Sequence, residues 1–163
     1  MALKYWLRGS VLRNNIPILS GLAINIGKMS DKTNVATITS SLVDGTFEYE
    51  VPEVETLITH ESVIRTGILF DSLSNTPVLS IGLVTDGVIT YTPYDEGTGL
   101  GDYRVSAARD GIEWMSGIEP EMDTQYFVDY YYYSESYFVT AFYTTDQYNA
   151  KIFDYVKPTV EEA

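Results

Sequence analysis

The chain has 163 residues, 45% of them apolar or aromatic, and a formal net charge of −13. The apolar fraction excludes a disordered chain, and the length allows one or two domains with working cores. There is no run of about eighteen apolar residues, so no membrane span is expected, and with no cysteine neither disulfides nor thiolate metal sites can form.

The opening residues, Met1 to Ser10, lack a basic region followed by an apolar stretch, so no secretory signal is expected. Lys4 to Leu12 reads as a first strand, and Asn14-Asn15 with Pro17 as a turn. Ile18 to Ile26 alternates loosely and reads as a second strand. Gly27 to Asn34 is polar and turn-like. Val35 to Leu42 is a third strand, rich in Thr and Ser. Asp44-Gly45 signals a hairpin, since both residues tolerate positive φ. Thr46 to Val51 has the cleanest alternation of the first half, with Phe47, Tyr49 and Val51 inward. Pro52 ends it. Thr56 to Thr59 and Val63 to Leu69 read as two further strands.

Asp71 to Pro77 reads as a polar turn. Val78 to Val84 is a strand with Leu79, Ile81 and Leu83 on one face, Asp86-Gly87 a further hairpin signal, and Val88 to Thr92 its return. Pro93 to Gly101 is an acidic, glycine-rich loop. Tyr103, Val105 and Ala107 alternate up to Asp110-Gly111, and Ile112 and Trp114 resume beyond, which predicts a hairpin with a type I′ turn. Glu119-Pro120 breaks the chain. Two long strands follow, Gln125 to Tyr133 and Tyr137 to Thr144. In the first, Tyr126, Val128, Tyr130 and Tyr132 point one way, and Phe127, Asp129, Tyr131 and Tyr133 the other. Both faces thus carry aromatics and ask to be covered. Gln147 to Pro158 is a short final segment with Ile152, Phe153 and Tyr155, and the last residues are expected to fray. Strands at roughly ten-residue spacing, with no convincing amphipathic helix, predict an all-β fold.

The residues Gly9, Val11, Asn15, Pro17, Ile24, Ile26, Asp44, Gly45, Phe47, Val51 and Pro52 follow the pattern of the prealbumin-like β-sandwich of carboxypeptidase regulatory domains. That resemblance, over residues ~3–70, implies a structural module that positions neighbouring domains. A second resemblance covers residues ~73–143. Leu73, Pro77, Val78, Ile81, Gly101, Asp102, Tyr103, Val105, Ile112, Trp114, Glu119, Pro120, Thr124, Tyr126, Val128, Tyr130 and Tyr132 resemble a module of tailed-bacteriophage tail, baseplate and fibre-attachment proteins. Met122-Asp123 departs from it, standing where that family has a glycine-containing turn. The expected organisation is two small β-sandwich-like modules in tandem, 1–72 and 73–163. The phage resemblance implies a virion part, assembled in the host cytoplasm, with other virion proteins as partners, a symmetric homo-oligomer and no catalytic residues.

The charge is uneven: residues 1–81 hold 8 acids and 6 bases, residues 82–163 hold 15 acids and 4 bases. An acidic second half argues against nucleic acid and anionic lipid as partners. His60 is the only histidine, and no nucleophile motif accompanies it, so it reads as a surface or interface residue. Glu119, Glu121 and Asp123, and Asp95, Glu96 and Asp102, form acidic loops without calcium-loop spacing, so no metal or cofactor is expected. Tyrosine is a large, stiff, amphipathic contact residue. The candidate interface is therefore Tyr126, Tyr130, Tyr131, Tyr132, Tyr133, Tyr137 and Tyr143, the rival reading of the same tyrosines being an ordinary β-sandwich core with some exposed strand positions. The expected function is a non-enzymatic structural protein of a tailed-phage virion, in the tail tip, baseplate or fibre attachment. The alternatives are a capsid decoration or neck protein, and a carbohydrate-binding module reading host surface glycans.

Overall fold

The computed structural model describes residues 2–144 and 149–162, without the side chains of 142–155. The fold is all-β, as the spacing of apolar residues and turns requires. Its strands are β1 (Leu3–Ser10), β2 (Leu12–Arg13), β3 (Ile16–Pro17), β4 (Ala23–Lys28), β5 (Asn34–Thr39), β6 (Thr46–Val51), β7 (Glu55–Ile64) and β8 (Phe70–Ser72). There follow β9 (Val78–Thr85), β10 (Thr90–Tyr91), β11 (Tyr103–Val105), β12 (Gly111–Trp114), β13 (Gln125–Tyr133), β14 (Tyr137–Thr144), β15 (Asn149–Val156) and β16 (Thr159–Glu162).

The chain divides into two compact units, one built from Met1–Glu53 with Glu135–Ala163, the other from Val54–Ser134. This differs from a tandem division at 72/73. The reason is strand pairing. β7 and β8, expected in the first module, pair with β13 and β12. β14 and β16, expected in the second, pair with β4 and β1. The second unit is thus a segment set between the two halves of the first.

Unit 1 holds a three-stranded sheet, β16-β1-β6, a four-stranded sheet, β15-β14-β4-β5, and the small β2-β3 hairpin. The first sheet buries Tyr5, Leu7 and Val51, and the second buries Ile24, Ile26, Val139 and Ala141. Two glycines in these sheets lie under aromatic rings. Gly9 pairs with Phe47 and Gly27 with Phe138, and a Cβ on either glycine would meet its partner's ring at 2.7 and 2.2 Å. An aromatic laid across a strand glycine restores the packing that the missing side chain forfeits. Gly45 has φ 72°, and its N–H donates to the Ser41 carbonyl at 3.0 Å. The Asp44-Gly45 turn exists, but β5 and β6 leave it for different sheets rather than pairing as a hairpin.

Unit 2 packs the four-stranded sheet β10-β9-β13-β7 against the three-stranded sheet β11-β12-β8. The first contributes Val63, Val78, Val84, Tyr126, Val128 and Tyr130 to the core, the second Tyr103, Ile112 and Trp114. Tyr91, Tyr103 and Tyr126 all meet the Trp114 indole edge to face, with centroids 5.2, 6.1 and 5.3 Å away. Such geometry adds to the burial of the rings.

Several local expectations are corrected. The stretch 18–22 is not strand, so the second strand starts at Ala23. Thr56–Thr59 and Val63–Leu69 are not separate strands. Residues 55–64 form one strand with a bulge at His60, which takes φ 57°. The hairpin around Asp110-Gly111 forms without a type I′ turn there. Val105 pairs with Ile112, and Arg109 rather than Gly111 takes positive φ, at 55°. Gly111 is needed for another reason. A Cβ there would lie 2.1 Å from the Asp71 carbonyl oxygen of neighbouring β8. Asp123 takes φ 68°, adopting the left-handed conformation at the position where the phage-type pattern departs from glycine.

Candidate interaction surface

The second unit is organised around one buried carboxylate. Asp71 is 1% exposed. Its Oδ2 accepts from the Tyr126 hydroxyl at 2.6 Å and from Trp114 Nε1 at 3.0 Å. Its Oδ1 accepts from the Thr66 N–H at 2.9 Å and lies 3.6 Å from Arg65 Nη1. Burial pushes the Asp71 carboxyl up, but the bonds from Tyr126, Thr66 and Trp114 outweigh it and hold the acid below its ordinary value. The same arrangement, burial first and the Asp71 hydrogen bond second, pushes the Tyr126 phenol far up. Three donors, from Trp114, Tyr126 and Thr66, are hydrogen-bonded to this carboxylate, and the Arg65 guanidinium lies beside it. Its chemistry is therefore architectural: it fixes β8, β12 and β13 to one another.

A second polar chain anchors β13 further along. The Tyr130 hydroxyl donates to Glu61 Oε1 at 2.7 Å and accepts from Asn75 N and Nδ2 at 3.2 and 3.1 Å. Glu61 Oε2 accepts from the Ser74 N–H at 3.0 Å. Burial is the main cause that pushes the Tyr130 phenol up to about 12.

These contacts settle where the tyrosines of the candidate interface sit. Tyr126, Tyr130, Tyr133 and Tyr137 have no exposed surface and cannot meet a partner. Tyr131 and Tyr132 are both half-buried, and Tyr132 packs against the core. The side chain of Tyr143 lies outside the described residues. The correction has a physical cause. Strict alternation would put Tyr130 and Tyr132 on one face and Tyr133 on the other. The pairing of β13 with β9 slips between Asp129 and Tyr130 and again between Tyr131 and Tyr132. The extra residues of these slips lie on β9, so alternation along β13 holds: Tyr132 packs against the core beside Tyr126, Val128 and Tyr130, while Tyr133, on the other face, is buried outside that core.

The exposed side of this sheet carries different residues. Leu57 pairs with Tyr131 and is 45% exposed, and Leu83 pairs with Asp129 and is 38% exposed. Half-buried Phe127 lies on the same side. The His60 imidazole stacks on its ring, with centroids 4.0 Å apart and planes 5° from parallel. The His60 N–H donates to Asp129 Oδ1 at 2.7 Å, which satisfies the backbone at the bulge. Of this face, sequence patterning names Tyr131 as an interface residue and His60 as a surface or interface residue, and leaves out Phe127. It misses Leu57 and Leu83, because the exposed side of a strand that alternates imperfectly has no distinguishing signal.

The acidic loops hold their own backbones. Asp95 Oδ1 accepts from the Gly97 N–H at 2.8 Å, Asp102 Oδ2 from the Thr92 N–H at 2.8 Å, and Glu119 Oε2 from the Gly117 N–H at 2.7 Å. Among the described residues, no group of three or more His, Asp or Glu side chains is placed to hold a metal ion. In unit 1, Leu7, Val11, Phe47, Val139, Ala141 and Val156 help to line an apolar cavity of about 100 Å³. No helix among the described residues is long and apolar enough to cross a membrane.

Comparison with protein-family models, with curated proteins and with solved structures finds no match to this chain.

Proposed function

We propose that this chain is a non-enzymatic structural protein of a tailed-bacteriophage virion, in the tail tip, baseplate or fibre-attachment region, working by protein–protein docking. The observation that carries the docking is the exposed side of the β7-β13-β9 sheet. Leu57, Leu83, Tyr131 and the Phe127–His60 stack stand there on a sheet whose opposite side is closed by the core. Apolar and aromatic groups on a rigid sheet make a contact surface at little entropic cost. The virion assignment rests on the resemblance of residues ~73–143 to phage tail modules.

A capsid decoration or neck protein would use the same surface. The sugar-reading alternative needs free ring faces, and one face of Phe127 is already taken by His60. That favours protein docking. Light scattering on the purified chain, together with pull-down from phage-infected cells, tests the reading. The expected result is a defined oligomer or a retained virion protein. A monomer at every concentration that retains no virion protein, or one that is captured by immobilised glycans, overturns it.

A further inference from the structure

We infer that the free edge of β7, over Glu55 to Thr59, accepts an extended basic segment of a different protein as an added strand. The inference rests on the docking reading and names its site and partner chemistry. β7 is the edge of its sheet, pairing with β13 on one side and with no described strand on the other. It is ten residues long and exposed over most of its length. An edge presents a row of unpaired N–H and C=O groups, and proteins usually protect long edges with Lys, Pro or bulges. Residues 55–64 contain neither Lys nor Pro. The edge's protection is the bulge at His60, which interrupts the ladder beyond Thr59, and the two charges of Glu55 and Glu61. The segment before it, Glu55-Thr56-Leu57-Ile58-Thr59, is left regular and open, with Leu57 45% exposed beside it. Added strands bind through this main-chain ladder and gain specificity from alternate side chains.

The charge of unit 2 selects the occupant. Residues 54–134 hold 13 acids and only 3 bases. All three bases are engaged within the unit. Arg65 faces Asp71, Arg104 Nε donates to Glu113 at 2.7 Å, and Arg109 donates to the carbonyls of Val78 and Leu79 at 3.2 Å. A second copy of the chain is a poor occupant: its unit 2 brings acids and no free cation, and its unit 1 holds 10 acids against 7 bases. A Lys- or Arg-bearing strand with an apolar residue opposite Leu57 complements the edge in both charge and contact.

The test uses the full chain and two capped nine-residue peptides, one alternating Lys with Val, the other Glu with Val. Binding is followed by fluorescence anisotropy, and amide hydrogen exchange reports on residues 55–59. The Lys–Val peptide should bind, weaken as NaCl is raised, and slow exchange within 55–59, while the Glu–Val peptide should not. Leu57→Lys should weaken binding about tenfold, and Leu57→Glu less, since it loses the apolar contact but keeps the attraction. Binding without protection of 55–59, equal binding by Leu57→Lys, or no binding would overturn the inference. So would a peptide-free dimer that protects the same amides. If Leu57→Lys still retains virion proteins with β7 unprotected, the edge assignment alone falls and the docking reading stands.

Discussion

Replacing Asp71 with Ala removes the acceptor on which Trp114 Nε1, the Tyr126 hydroxyl and the Thr66 N–H converge. It also leaves Arg65, 3% exposed, without its carboxylate. Each buried donor stripped of its partner costs about 1–3 kcal/mol, and breaking a buried ion pair from one side costs about 3–5 kcal/mol. The contacts share one carboxylate and so overlap rather than add, which gives a loss of about 4–6 kcal/mol. A unit the size of residues 54–134 has a stability of only about 4–12 kcal/mol, so the variant should sit at the edge of unfolding. Urea denaturation in a Trp6→Phe background, with Trp114 as the only indole, reads unit 2 selectively. Asp71→Asn keeps an acceptor oxygen and should lose less than Asp71→Ala. An unfolding free energy for Asp71→Ala within about 1 kcal/mol of the parent's would refute the assignment of Asp71 as the organising acceptor, because even one orphaned buried donor costs that much.

Three further outcomes follow from the same contacts. Trp114→Ala should cost about 3–5 kcal/mol in urea denaturation followed by far-UV circular dichroism, as expected for an almost fully buried large aromatic. In acid, Asp71 and Glu135 have folded pKa values below their ordinary ones, because hydrogen bonds outweigh burial; their stabilisation is present above the unfolded carboxylate pKa and is lost as pH falls through the folded one. In alkali the sign reverses: the Tyr130 phenol is raised to about 12, so its contribution is full below the unfolded value of 10 and is lost as pH rises towards 12. A melting-temperature series over pH should therefore fall at both ends, and a flat profile at either end would contradict these contacts. EDTA should leave the melting temperature unchanged, since the acidic loops are satisfied by their own backbone N–H groups; a large drop would show a bound cation.

Much of the fold is legible in the chain. Thr46–Val51, Gln125–Tyr133 and Tyr137–Thr144 occur as strands with the expected bounds, because two-residue alternation and flanking turn residues both mark them. The Asp86-Gly87 hairpin forms, with Thr85 paired to Thr90. What local pattern does not carry is the choice of partner strand. Nothing in the sequence near Val54 or Ser134 announces that β6 and β14 belong to one unit, because that depends on long-range pairing of β14 with β4. Bulges are equally hidden. The slips opposite Tyr130 and Tyr132 place extra residues on β9 that no pattern along that strand announces, while the alternation of Tyr126, Val128, Tyr130 and Tyr132 on one face holds. Asp71 looks like one more turn residue in sequence, yet it is the polar centre of unit 2. Its burial becomes visible only once Trp114 and Tyr126 are brought to it from 43 and 55 residues away.

The most direct measurement is an electron-density map of phage particles carrying this chain, obtained by electron microscopy and traced through residues 54–134. The chain should appear in the tail, with Leu57, Leu83 and Tyr131 covered by another polypeptide. Particles that lack the chain, or a tail in which that sheet faces bare solvent, would contradict the docking role.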